Sequence, residues 1–151
     1  MQPFSGKDWN AAFGQAFKGK TEGQYKNALE FVEALLREGV IKKSNLTLTG
    51  SSLGGGLAAY VGSNMGIETV TFNAAGVHPD NVGSHTDMVT NYHMMGDTLT
   101  AMQNSTGLPN AIGTQIRVIP TFCDIAVAGL LGPGYLHFIG PMQRALERAS
   151  R

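Results

Sequence analysis

The segment from Gly50 to Gly54 contains the residue of this sequence best suited to nucleophilic chemistry. It reads GSSLG and matches the pattern G-x-S-x-G, with Ser52 at its centre. In that pattern a sharp turn between a strand and a helix exposes the serine hydroxyl. We expect Gly50 and Gly54 to leave room for the neighbouring backbone, so the segment predicts a nucleophile elbow at Ser52.

The helix expected after this turn would also stabilise negative charge. Its N-terminus carries free N–H groups and points at the serine, so the backbone N–H of Leu53 is the expected oxyanion donor. We identify no second donor in the sequence. Loss of one such donor typically lowers the rate by about 10²–10³-fold.

A serine nucleophile needs a histidine base and a carboxylate that orients the histidine. Where the serine lies in a G-x-S-x-G turn, the acid and then the histidine follow it in the chain. The first-ranked acid is therefore Asp97, which closes a predicted strand, and the second is Asp124. The expected base is His137, which lies after the last predicted strand and before the final helix. The sequence therefore predicts a triad of Ser52, His137 and Asp97.

Simpler interpretations account for the other polar candidates. Three histidines precede Asp97 in a loop or a strand, where a surface or core role is the ordinary explanation: His78, His85 and His93. A dinucleotide site at the glycines of segment 54–59 is disfavoured, because they lie inside a predicted helix and no acidic residue ends a following strand. A P-loop is excluded, because no Lys follows these glycines. The remaining alternative is a Gly-rich turn with two solvent-exposed serines.

These side chains need a scaffold that brings distant segments together. The predicted elements are helices at 8–20 and from 21 to a stop at Gly39, a strand at 45–49, a helix at 53–64, strands at 68–75, 88–95 and 114–120, and a helix that begins near Pro141. Short strands around a central helix predict an α/β layer fold with a mostly parallel sheet. The carboxyl ends of parallel strands share one edge, so Asp97 is expected on the same edge as Ser52.

Composition limits the class of protein. The 151 residues suffice for one domain with a core. Eleven basic and 11 acidic side chains give no net charge, which argues against a nucleic-acid partner. Cys123 is the only cysteine, so an intrachain disulfide and a cysteine zinc site are excluded, and no metal or cofactor is expected.

Two further observations concern membranes. The first residues lack the apolar core of a signal peptide, and no apolar run approaches the ~18 residues that a membrane span needs. The sequence therefore leaves the compartment undetermined. The apolar stretch from Phe122 to Leu131 has two interpretations, a buried core element or a lipid-facing lid that contacts a membrane surface.

Several segments resemble one enzyme group. The segment Leu46 to Ala59 is similar to the elbow of fungal-type triacylglycerol lipases and their bacterial phospholipase A1-like relatives, although Ser51 stands where those families usually have His. The segment Tyr92 to Gln103 resembles the acid-bearing segment of the bacterial members, with the acid at Asp97. His137 and the helix after it resemble their terminal histidine and helix.

The resemblance covers roughly residues 8 to 150 and implies a partial α/β-hydrolase-like three-layer sandwich. It also implies a cofactor-free serine hydrolase of lipid or phospholipid acyl esters, in which Ser52 attacks, His137 transfers the proton and Asp97 orients the histidine. The family pattern includes upstream strands and an Arg-Gly-Thr-type oxyanion loop, which residues 1–45 do not contain. We therefore expect residues 1–151 to form a single lipase-like domain that corresponds to the C-terminal half of the fold.

An incomplete sheet leaves two questions open. An exposed sheet edge invites pairing with another copy or with an N-terminal piece. It also motivates an alternative function, a catalytically incomplete fragment or pseudoenzyme that acts as a binding or assembly module. Hydrolysis of a thioester or a peptide is a third hypothesis, because a triad by itself does not separate these acyl substrates.

Overall fold

The computed structural model describes residues 21–150, so the helix expected at 8–20 lies outside the described residues. The helices of the described part are α1 Thr21–Arg37, α2 Ser52–Met65, α3 Thr98–Thr106, α4 Phe122–Leu131 and α5 Ile139–Ala149. Its strands are β1 Leu48–Ser51, β2 Thr69–Phe72, β3 Val89–Met94 and β4 Thr114–Val118. Short 3₁₀ turns are at Lys43–Asn45, Pro79–Asn81, Thr86–Met88 and Pro133–His137.

The four strands form one parallel sheet in the order β1-β2-β3-β4. Each strand lies beside its predecessor in the chain, so every connection crosses over, and α2 and α3 are two of the crossover helices. The predicted α/β class and parallel sheet are confirmed. The strands end at Ser51, Phe72, Met94 and Val118, and these ends define the carboxyl edge of the sheet.

One face of the sheet packs against α1 and α2. Val32 of α1 and Val61 of α2 form a buried cluster with Leu48 of β1. Ala59 of α2 packs with Val89 of β3 in a neighbouring cluster. Burial of these apolar side chains removes them from water and holds the crossover helix α2 firmly on the sheet.

The opposite face packs against α5. Val89 and Met94 are five positions apart on β3, so their side chains point to opposite faces of the sheet. Met94 clusters with Val118 of β4 and with Met142 and Ala145 of α5. Helices on both faces are consistent with a partial α/β three-layer sandwich.

Several element boundaries differ from those predicted. β1 continues through Gly50, which was expected to end it, because Gly50 stays in register with Thr71 of β2. β2 stops at Phe72, three residues early, because Asn73 takes a positive φ of 44° that extended backbone does not allow.

The apolar stretch expected either as core or as a lid forms helix α4. Its core interpretation is wrong for several side chains, since Phe122 is 81% exposed and Leu130 is 86% exposed. No helix between residues 21 and 150 combines the length and apolar character required to cross a membrane.

Candidate active site

Ser52 lies at the corner where β1 ends and α2 begins. Its φ is 54°, and within the described residues only Asn73 is another non-glycine residue with a positive φ. Such a conformation costs on the order of 1–3 kcal/mol for a residue with a Cβ and persists only where the surroundings enforce it. The corner therefore has the strained geometry of the predicted elbow.

Gly50 makes this corner sterically feasible. A Cβ on Gly50 would overlap the Gly54 carbonyl and lie 2.8 Å from the Gly55 nitrogen. The same role was expected of Gly54, and that expectation is wrong, because a Cβ there would meet no atom within 4 Å. Of the two outer glycines of the motif, Gly50 is therefore the one that the close approach of the strand end to the first turn of the helix requires.

The next two glycines have the role that was assigned to Gly54. A Cβ on Gly55 would lie 2.9 Å from the Ala74 Cβ, and one on Gly56 would lie 3.0 Å from the Ala75 carbonyl oxygen. The first turn of α2 thus packs directly on the segment that follows β2.

The two outer glycines of the motif provide a matched pair of substitutions. We expect Gly50→Ala to lower the free energy of unfolding by ~1–3 kcal/mol or more, because the new methyl group overlaps backbone. Gly54→Ala should leave stability unchanged or raise it by up to ~1 kcal/mol, because alanine favours the helix and the site is open. Urea unfolding of both variants measures the difference, and equal destabilisation would contradict this account.

The structure brings the three predicted side chains together. The Nε2 atom of His137 lies 2.8 Å from the Oγ atom of Ser52, and its Nδ1 atom lies 2.6 Å from the Oδ1 atom of Asp97. Ser52 is 85 residues from His137 in sequence, and Asp97 is 40 residues from it. The ring is compatible with a tautomer in which Nδ1–H donates to Asp97 and the Ser52 hydroxyl donates to Nε2.

Asp97 is held by the helix that it caps. It is the N-cap residue of α3, and its Oδ2 atom accepts hydrogen bonds from the Thr100 backbone N–H and the Thr100 hydroxyl, both at 2.7 Å. The other oxygen, Oδ1, faces His137. A helix N-terminus is a favourable place for a carboxylate. Because Asp97 is only 1% exposed, its carboxylate has a defined orientation.

Leu53 follows Ser52 in the first turn of α2. The first four N–H groups of a helix have no acceptor within the helix, so the Leu53 N–H is available to a group placed at the elbow. The Ser52 carbonyl is itself held by the Ala75 backbone N–H at 2.8 Å. The peptide between Ser52 and Leu53 is therefore anchored from the end of β2.

The remaining histidines lie in other surroundings. His78 is exposed beside Asp80, with 3.5 Å between the Nδ1 atom and a carboxylate oxygen. His93 is on β3, where burial lowers its pKa, with a further lowering by Arg117 and a partial opposing effect of Asp97. Within residues 21–150, no three His, Cys, Asp or Glu side chains cluster closely enough to hold a metal ion.

Asp124, the second-ranked acid, forms a separate buried network. Its carboxylate accepts hydrogen bonds from the Thr121 hydroxyl at 2.6 Å, the Tyr135 hydroxyl at 3.3 Å and the Arg144 Nε atom at 3.0 Å. These contacts join α4 and α5 on either side of the turn that ends at His137. The pairing of Asp124 with Arg144 had no local signal in the sequence, because the two residues are 20 positions apart.

The surroundings of Asp124 change its acidity. Burial acts to raise the pKa of its carboxyl group, but hydrogen bonds from Arg144 and Thr121 outweigh burial and hold the pKa below its ordinary value. A group with a lowered pKa in the fold stabilises the protein above the unfolded pKa, which is about 3.9 for Asp. This stabilisation is lost as the pH falls through the folded pKa.

We therefore expect Arg144→Gln to be less stable than the unchanged protein at pH 7, with a difference that shrinks as the pH falls below about 4. At low pH the Asp124 carboxyl is protonated in both proteins, and the ion pair no longer separates them. Urea unfolding across this pH range measures the effect. Arg148→Gln, an exposed arginine of the same helix, is the control. A difference that stays constant with pH would contradict the assignment.

Comparison with known proteins adds one positive result. A family model described as "Phospholipase-like: Tle-like phospholipase domain" matches residues 3–142. The matched range includes Ser52, Asp97 and His137. The comparison with curated proteins finds no match.

Proposed function

This chain belongs to the phospholipase-like family of Tle-like phospholipase domains, and from that premise we propose that it hydrolyses acyl esters of phospholipids with Ser52 as nucleophile. Membership of this family supports the hydrolysis of lipid esters. The observation that carries the assignment of Ser52 as nucleophile is the hydrogen-bonded chain from Asp97 through His137 to Ser52, with 2.6 Å and 2.8 Å between the bonded atoms.

In the proposed reaction the Ser52 oxygen attacks the acyl carbonyl carbon while His137 Nε2 takes the hydroxyl proton. The carbonyl oxygen becomes negative and accepts a hydrogen bond from the Leu53 N–H. The ester C–O bond then breaks, and His137 gives its proton to the leaving alcohol oxygen. Water, deprotonated by His137, attacks the acyl-enzyme and releases the fatty acid, and the proton returns to Ser52. Asp97 keeps Nδ1–H oriented and stabilises the imidazolium that forms in each half-reaction.

Exposed apolar side chains near the histidine support a lipid substrate. They lie on α4 and directly after His137, and the large ones are Phe122, Ile125, Leu130, Leu131, Phe138 and Ile139. α4 follows the carboxyl end of β4, and the elbow lies at the same edge of the sheet. We propose that this apolar surface contacts the lipid phase and brings the site to its substrate.

The lipid contact predicts a specific binding defect. A protein with both Phe122→Ser and Leu130→Ser should bind phosphatidylcholine vesicles at least ~10-fold more weakly, since each apolar side chain buried in lipid contributes on the order of 1.5 kcal/mol. Vesicle co-sedimentation measures the change. The control is Val40→Ser, which removes a side chain that is 67% exposed and belongs to the connection between α1 and β1, not to α4 or the segment after His137. Equal loss in the control, or no loss in the double variant, would refute the lipid contact.

The proposed reaction is tested by its products and by its covalent adduct. A fluorophosphonate probe should modify the chain, and peptide mass analysis should locate the adduct on Ser52. Phosphatidylcholine should give free fatty acid and lysophospholipid, which distinguishes acyl-ester cleavage from cleavage at the phosphate. An adduct on another serine contradicts the proposal. An unlabelled protein that forms a defined oligomer would support the alternative of a non-catalytic assembly module.

A further inference from the structure

Asn73 is a buried polar residue that the reaction described above does not use. It follows the last residue of β2, is 1% exposed and has a φ of 44°. Its backbone N–H donates to the Tyr92 carbonyl at 2.8 Å, which keeps it in line with β3. A strained, buried asparagine beside the carboxyl edge of the sheet calls for a physical reason.

The side chain of Asn73 holds the turn that carries the histidine. Its Nδ2 atom lies 3.3 Å from the Leu136 carbonyl oxygen and 3.2 Å from the His137 carbonyl oxygen. An amide nitrogen carries two hydrogens, so it can donate to both carbonyls at once. These two carbonyls flank the Cα of His137. The orientation of the backbone from which the imidazole extends is therefore restrained on both sides.

The same side-chain amide also bonds to the end of β3, the strand that precedes Asp97. Its Oδ1 atom accepts a hydrogen bond from the Met94 backbone N–H at 2.8 Å. The Met94 carbonyl in turn accepts one from the Asp97 backbone N–H at 3.0 Å. These partners settle the amide orientation, since a flipped amide would set N–H against N–H and oxygen against two carbonyls.

The position accepts few residue types. A left-handed backbone is tolerated best by Gly, Asn and Asp. Gly offers no side-chain hydrogen bonds, and Asp would turn a carboxylate oxygen toward two carbonyl oxygens. Of the three, only Asn can satisfy the backbone conformation, the two carbonyl acceptors and the Met94 donor together.

Segment 73–75 thus contacts the supports of all three candidate catalytic side chains. Ala75 donates to the Ser52 carbonyl, while Asn73 bonds to Met94 ahead of Asp97 and to His137 itself. We propose that Asn73 is a positioning residue that sets the distance from His137 to Ser52 and Asp97. The inference rests on the proposed function, since it concerns the geometry of the same three side chains.

Two variants of the full chain test this role. Asn73→Asp keeps the side-chain shape and removes both donors, and Asn73→Gly keeps the backbone conformation and removes the side chain. A displacement of about 1 Å at a reacting group can lower the rate about 100-fold, so we expect kcat for ester hydrolysis to fall about 100-fold with KM nearly unchanged. If the buried carboxylate prevents Asn73→Asp from folding, Asn73→Gly provides the test.

The matched control is Asn91→Asp. Asn91 is 2% exposed, and its Nδ2 atom donates to the Gln115 side chain at 2.8 Å, between β3 and β4. Its Oδ1 atom accepts hydrogen bonds from the Ala74 backbone N–H at 3.3 Å and the Thr71 hydroxyl at 3.0 Å, and an aspartate oxygen can still accept both, so only the bond to Gln115 is lost. This variant should lose thermal stability to a similar degree while kcat changes less than about 3-fold, because the histidine turn keeps its bonds. A kcat that falls equally in Asn91→Asp, or that is retained in both Asn73 variants, overturns the positioning role.

A spectroscopic measurement separates this inference from the proposed function. The proton shared between His137 Nδ1 and Asp97 should give a downfield ¹H resonance in the unchanged protein and in Asn91→Asp, and lose it in both Asn73 variants. This comparison needs no turnover. A chain that hydrolyses no ester therefore refutes the proposed function alone, whereas a resonance retained in the Asn73 variants refutes the positioning role alone.

Discussion

Replacing Ser52 with alanine is expected to lower kcat for ester hydrolysis by about 10⁴–10⁶-fold and to abolish fluorophosphonate labelling. The hydroxyl lies 2.8 Å from His137 Nε2, and the methyl group of alanine cannot attack a carbonyl carbon in its place. The backbone N–H of Leu53 remains, so substrate binding should change far less than turnover. Steady-state hydrolysis of a short-chain p-nitrophenyl ester, with active-site titration, measures the effect.

Ser51→Ala is the matched control for this substitution. Ser51 is the last residue of β1 and precedes α2, and its side chain makes no capping hydrogen bond to that helix. Its removal should leave both labelling and kcat largely intact. Labelling that survives in Ser52→Ala and disappears in Ser51→Ala would show that Ser51, and not Ser52, is the nucleophile.

The second large effect is expected from Asp97→Asn, which should lower kcat about 10⁴-fold while the protein stays folded. An asparagine can still cap α3 through its carbonyl oxygen, so the two bonds from Thr100 have an acceptor. Its amide N–H₂ would face His137 Nδ1 and favour the tautomer with the proton on Nε2. That tautomer cannot accept the Ser52 proton, so the nucleophile is no longer activated.

Asp124→Asn provides the comparison, because Asp124 is the other buried carboxylate that follows Ser52 in the chain. Its bonds to Arg144 and Tyr135 stabilise the packing of α4 and α5. The variant should therefore lower the unfolding temperature and reduce kcat much less than Asp97→Asn. The reverse order of the two kcat losses would move the acid to Asp124.

The strand ends explain why Asp97 could be ranked from the sequence as the candidate acid. A carboxylate that follows a strand of a parallel sheet lies at the same edge as a serine that follows another. Asp97 comes three residues after β3 ends, and Ser52 comes directly after β1. The position of His137 was harder to predict from the sequence. Its turn lies between α4 and α5, so the pairing of His137 with Ser52 and Asp97 depends on how these two helices pack.

Local pattern by itself determined the elements and the elbow. The GSSLG motif, the helical pattern that begins at residue 21 and the predicted strands at 68–75, 88–95 and 114–120 depend on neighbours within a few positions, and such interactions are present in any window of the sequence. The structure forms strands within these ranges, at 69–72, 89–94 and 114–118. The predicted α/β class, the parallel sheet and the choice of Ser52 followed from these signals.

Tertiary structure alone decided the contacts between distant segments. The open space at Gly54, the close packing at Gly55 and the pairing of Asp124 with Arg144 arise where separate elements meet. Asn73 is the clearest case, since its two carbonyl partners lie 63 and 64 residues further along the chain. Short-range patterns specify what each segment forms, whereas the partner of a buried polar group is set by how the helices and the sheet pack around it.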